Sequence, residues 1–208
     1  PAAAPLPRDA VAGLLGRAAF DPLGQPALSA RELDRLAAAY APSFEVEIGA
    51  DYDRFGWLRW RRGSSVPQVD AAEPAVYVHS AYTRYRGQVL LQLVYTVWFP
   101  ERPRRGKVDL LAGRLDGVVW RVTLAPDGEP LVYDSIHACG CFHLFFPTPR
   151  ARPRASVCRS AVVVGQRSPV SSRSRSTRTS SRPSGASSLL FTLPMFTPAM
   201  RTSASSTS

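Results

Sequence analysis

The sequence predicts an α+β fold: two N-terminal helices followed by a mostly antiparallel β-sheet of about five or six strands. Three observations carry that prediction. Apolar residues recur at helical spacing in the first forty positions. From Phe44 the apolar period changes to two, the period of a half-buried strand. Asp127-Gly128, a strong tight-turn dipeptide, lies between two strand-like runs at 118–124 and 131–136, which makes the pair an antiparallel hairpin.

Taken in chain order, residues 1–8 read as a linker and 9–20 as a short helix with Val11, Leu14, Leu15 and Ala18 on one face. Gly13 and Gly16 weaken that helix. The second helix, 29–40, is better specified. Ser29 and Glu32 form a capping box, Leu33, Leu36, Ala37 and Tyr40 share a face, and Pro42 ends it. Strands are expected at 44–48, where Phe44, Val46 and Ile48 alternate with Glu45 and Glu47, and at 56–60 and 75–79. The run 88–99 is nearly continuously apolar and reads as a central strand covered on both faces. A polar loop at 100–106, the hairpin, and a last strand at 141–146 complete the domain, 9–147.

The chain has 208 residues and a net charge of +10, but the charge is not spread evenly. Residues 1–147 hold 16 basic and 16 acidic side chains, whereas 148–208 hold 10 Arg and no acidic residue. That split excludes a uniformly basic nucleic-acid-binding domain. The tail also carries 16 Ser and 7 Thr. Three readings compete for it: a genuine Arg/Ser-rich arm that binds nucleic acid, a flexible linker, or translation in a shifted frame of a GC-rich gene, which would leave the domain truncated. The frameshift fits best, because the apolar stretch 189–200 does not suit a solvated basic arm. Either way the tail has too little patterned apolar surface to fold alone. Lys107 is the only lysine, and the Arg, Ala, Gly and Pro usage points to a GC-rich, bacterial-type genome. No apolar run is long enough for a transmembrane helix, so the chain reads as soluble, either cytoplasmic or exported after signal removal. Three cysteines, Cys139, Cys141 and Cys158, build no disulfide framework.

Function is not legible from composition, and there is no phosphate-binding glycine loop, zincin helix or serine-hydrolase elbow. One constellation carries chemistry. His137, Cys139, Cys141 and His143 alternate in H-x-C-x-C-x-H, and imidazole and thiolate are preferred zinc ligands. On one flat strand, alternate side chains stand almost 7 Å apart, too far for four ligands to close on one ion. Gly140 is where a bend would bring the two sulfurs together. The same residues suit a thiol nucleophile: Cys139 or Cys141 attacks, His79 or His143 serves as base, and Asp134 orients it. The competing reading is a non-catalytic β-rich binding or structural module in which the cysteines simply pack as small buried hydrophobes. Two weaker clusters, Asp51 and Asp53 beside Glu45 and Glu47, and Trp57, Arg59, Trp60, Arg61 and Arg62, read as a solvated turn and an ion-paired sheet face that neutralise one another. Tyr82, Arg84, Tyr85 and Arg86 read the same way.

Overall fold

The computed structural model describes residues 6–152 and, as backbone, a strand at 187–191. The predicted fold class is what is found: two helices, α1 (Arg8–Arg17) and α2 (Ala30–Ala39), precede a five-stranded antiparallel sheet. Its strands are β4 (Tyr77–Tyr85), β5 (Gln88–Arg102), β6 (Gly113–Leu124), β7 (Pro130–His137) and β8 (Leu144–Pro147), paired in sequence order as a meander. Between α2 and β4 lie β1 (Phe44–Ile48), a 3-10 turn at Asp51–Asp53, and β2 (Trp57–Arg59) paired with β3 (Gln68–Asp70). The backbone of β9 (Ser187–Phe191) pairs antiparallel with β1. The rest of the Arg/Ser-rich tail, with Cys158, lies outside the described residues.

Both helices lie on one face of the sheet because their apolar stripes match its alternation. Val11, Leu15, Leu36 and Ala37 pack with Leu91, Leu93 and Tyr95 of β5 and Val122 and Leu124 of β6, all buried. Leu6 joins this core, so the segment read as a linker already carries packing by its sixth residue. Two tyrosines fasten α2 to the sheet. The Tyr95 hydroxyl donates to the Ala37 carbonyl at 2.7 Å, and the Tyr40 hydroxyl to the Gly128 carbonyl at 2.6 Å. The capping box starts α2 as expected, with Glu32 N–H donating to the Ser29 hydroxyl and Ser29 N–H to the Glu32 carboxylate. Gly128 adopts φ +83° in the β6–β7 turn, and a Cβ there would lie 2.6 Å from Val11 Cγ1. Only glycine serves both the turn and the approach of α1.

Several boundaries differ from the sequence reading, each for a physical reason. α1 ends at Arg17 rather than residue 20, because Phe20 is drawn into an isolated bridge with Pro26. The strand expected at 75–79 runs instead from Tyr77 to Tyr85, and β5 passes through Pro100 to Arg102, each held in place by its neighbour's ladder. Pro100 interrupts that ladder opposite Leu115, which adopts φ +66°. β3 was not foreseen: only three residues long, it shows no periodicity of its own. The last strand begins at Leu144 rather than residue 141, since 138–143 form the connection that turns β7 back into β8.

Candidate functional site

The H-x-C-x-C-x-H string does not lie on one strand. β7 ends at His137, and the chain then folds into a tight turn. His137 N–H donates to the Cys141 carbonyl at 3.0 Å, Gly140 N–H to the His137 carbonyl at 2.8 Å, and Ala138 N–H to the Gly117 carbonyl of β6 at 2.9 Å. Gly140 provides φ +88° and Phe142 φ +53°, and these left-handed residues reverse the chain. The bend expected at Gly140 is present, and it places both thiols on an exposed turn rather than in the core.

The turn assembles three groups in line. Cys139 Sγ lies 2.9 Å from His137 Nδ1, and the other ring nitrogen of His137, Nε2, faces the carboxylate of Asp116 on β6. Asp116 is itself oriented, because its Oδ1 accepts the Gly117 N–H at 2.7 Å. The tautomer follows from the hydrogen bonds. Cys139 N–H donates to Nδ1 at 3.3 Å, so the neutral ring keeps its proton on Nε2, directed at Asp116, and its Nδ1 lone pair faces the thiol. The Cys139 thiol is lowered from its ordinary value to about 7, chiefly by hydrogen bonding from the Cys141 thiol, then by the Cys141 backbone N–H and by His137. The same sulfur–sulfur hydrogen bond raises the Cys141 thiol. The lowering of Cys139 and the raising of Cys141 thus share one cause, the hydrogen bond between the two sulfurs.

A second pair lies on the other face of the sheet, as the odd spacing of Asp134 and His137 along β7 requires. Asp134 is buried, and its Oδ1 meets Arg121 Nη2 at 2.6 Å, Arg121 Nε at 2.8 Å and His143 Nε2 at 2.9 Å. The Phe145 ring covers His143 with centroids 3.9 Å apart. Asp134, expected to orient a base that was either His79 or His143, is paired with His143. Among the described residues, no hydrogen bond joins His143 to either cysteine. His79 stands on β4 in register with Val94, Arg121 and Asp134, three strand spacings (roughly 14 Å) from β7. The histidine brought to Cys139 is His137. Among the described residues, no three His, Cys, Asp or Glu side chains are arranged to hold a metal ion.

Asp116 was not singled out from sequence. It precedes the strand expected at 118–124, and its signal was visible only by extending the hairpin register back past Val118, which pairs with His137. The weaker clusters resolve structurally. Asp53 accepts the backbone N–H groups of Gly49 and Ala50, both at 2.9 Å, and so closes its own turn. Arg59 pairs with Asp70 at 2.8 Å and Glu73 at 2.7 Å, not with the acidic residues of β1 and the 3-10 turn as expected. Arg86 lies over the neighbouring Tyr85 ring. No helix among the described residues is long and apolar enough to cross a membrane. No protein-family model, curated protein or solved structure matches the chain.

Proposed function

We propose that the 137–141 turn is a dithiol site for thiol–disulfide exchange, with Cys139 as the attacking thiol and Cys141 as the resolving one. The observation that carries this reading is the exposed Cys139 sulfur in line with His137 and Asp116, with the second thiol two residues away on the same turn. His137 Nδ1 takes the Cys139 proton, and Asp116 stabilises the resulting imidazolium. The Cys139 thiolate attacks one sulfur of a substrate disulfide. The substrate S–S bond breaks, a mixed disulfide forms, and the departing thiolate takes the proton from His137. Cys141 then loses its proton and attacks the Cys139 sulfur. An intramolecular Cys139–Cys141 disulfide forms, and the second substrate thiolate is released and protonated. The substrate gains two electrons and two protons, and the protein loses them. A disulfide spanning one intervening residue is strained and therefore readily reduced again, so it suits exchange better than structural cross-linking.

The test uses glutathione disulfide as probe and intact-mass spectrometry, with Cys158→Ser as the background throughout. Cys141→Ser should accumulate a glutathione adduct at Cys139. The parent should show no lasting adduct and instead become lighter by two hydrogens. Cys139→Ser should form little of either. An adduct that persists on the parent, or that forms equally on Cys139→Ser, overturns the reading.

A further inference from the structure

Far from the thiol turn, the segment between α1 and α2 crosses the tip of the β4–β5 hairpin. It is rigidly built. Phe20 and Pro26 form an isolated bridge, Asp21 Oδ1 accepts the N–H groups of Leu23 at 2.9 Å and Gln25 at 2.8 Å, and Gly24 adopts φ +79°. A Cβ on Gly24 would lie 3.3 Å from Val89 Cγ2, so the flap is seated on β5 through a glycine. Under it opens a cleft of about 450 Å³, within the range of small-molecule sites. Its floor is apolar, with Val89 and the buried Leu91 of β5, which alternate onto the flap side, and the buried Leu124 of β6. Its rim carries Phe20 and Leu23, which are 64% and 62% exposed although large and apolar. Among the described residues, Arg84 is the only charged side chain lining the cleft. Among the described residues it forms no ion pair, in contrast to Arg59, Arg121 and Arg150.

We propose that this cleft binds a single-chain amphipathic carboxylate, its hydrocarbon chain on Val89, Leu91 and Leu124 beneath Phe20 and Leu23, and its carboxylate on Arg84. A preformed apolar trough with a single cation at its mouth, unpaired among the described residues, selects for an apolar body with one anionic end. Length follows from volume. At roughly 30 Å³ per heavy atom, the share of one water in the liquid, the cleft holds about fifteen heavy atoms. Dodecanoate is of that size. The inference is independent of the dithiol reading, because no cysteine or histidine among the described residues lines the cleft.

The experiment is a titration of the full chain with dodecanoate, below its micelle concentration, followed by amide NMR and paralleled by dodecanol. Saturable shifts are expected at Leu23, Gly24, Gly87, Val89 and Ala125, with dodecanol binding about tenfold more weakly, the worth of one charge-assisted contact. Arg84→Gln should weaken dodecanoate by the same factor and leave dodecanol unchanged. Leu23→Ser should weaken both. Arg84 and Leu23 are exposed, so each variant should fold, and its amide spectrum verifies that. Equal affinity for acid and alcohol, an Arg84→Gln variant that binds dodecanoate as the parent does, or shifts confined to other residues would overturn the proposal. So would an unresponsive cleft.

Discussion

Asp116–His137 and Asp134–His143 are the same pair of residue types, set on opposite faces of one sheet beside one hairpin, and they differ in their third member. The first pair ends on an exposed thiol. The second ends on Arg121, with its carboxylate buried and an aromatic ring over its histidine. An Asp–His pair polarises whatever the free nitrogen faces. Facing a thiol near the surface, it is placed to move a proton in the exchange proposed above. Sharing its aspartate with a guanidinium inside a sheet, it mainly neutralises buried charge. His143 Nε2 also lies 3.1 Å from Arg121 Nη2, so the ring nitrogen is offered both a carboxylate and a guanidinium and serves them as filler rather than as a base. Residue identity alone does not separate the two pairs. Burial and the third partner do.

The largest effect should come from breaking the buried pair. Asp134→Ala leaves the Arg121 guanidinium, only 27% exposed, without its carboxylate. Removing one partner of a buried pair costs about 3–5 kcal/mol, and the partial exposure of Arg121 places this case near about 3 kcal/mol. Asp116→Ala should cost less, about 1–2 kcal/mol, because it orphans the enclosed His137 Nε2 but strands no guanidinium charge. Urea melts of the two variants measure the contrast directly. Equal losses would show that the two pairs do the same job.

The next test reverses the order of the pairs by reading the thiol instead of stability. Iodoacetamide alkylation of Cys139 should rise with pH through a midpoint of about 7 and level off above it, because only the thiolate reacts. Removing His137 takes away one of the groups that lower the thiol. If His137→Ala raises the midpoint by one unit, the rate at pH 7 falls about fivefold. Asp116→Asn should shift it in the same direction by less, and His143→Ala should leave it unmoved. A shift in His143→Ala as large as in His137→Ala would mean that the sheet face does not insulate the two pairs.

How much of this was legible beforehand follows from where local chemistry decides the outcome. α2 could be read from Ser29, Glu32 and the Leu33–Leu36–Ala37–Tyr40 face, because capping and periodicity are local. The β6–β7 hairpin could be read from Asp127-Gly128 for the same reason. β1 was readable as alternation from Phe44 to Ile48. The ends of β4, β5 and β6 were not, because a strand continues as long as a neighbour offers hydrogen bonds, and that is settled by pairing. The candidate site follows the same division. Its cysteines and histidines, and the bend at Gly140, were visible as residue types at a spacing. Which histidine meets Cys139 depends on where β7 ends, and the role of Asp116 depends on the β6–β7 register, so neither could be seen in the string 137–143.

The smallest effect, and the finest test of the comparison, is at Gly140. A Cβ there would meet nothing within 4 Å, so Gly140→Ala introduces no clash. Its only penalty is backbone: φ +88° disfavours any residue with a Cβ, by about 1 kcal/mol. That strain is confined to a turn whose side chains are exposed, so the variant should melt within about 1 kcal/mol of the parent. The turn relieves the strain by opening, which lengthens the distance from Cys139 to Cys141 and loosens the hydrogen bond from His137 N–H to the Cys141 carbonyl. The alkylation midpoint of Cys139 should therefore rise, since hydrogen bonding from Cys141 is the main reason that it lies low. Closure of the Cys139–Cys141 disulfide should slow as well, and the Asp134–His143–Arg121 cluster should be untouched. Unchanged alkylation and closure in Gly140→Ala would mean that the left-handed glycine only reverses the chain and does not set the thiols.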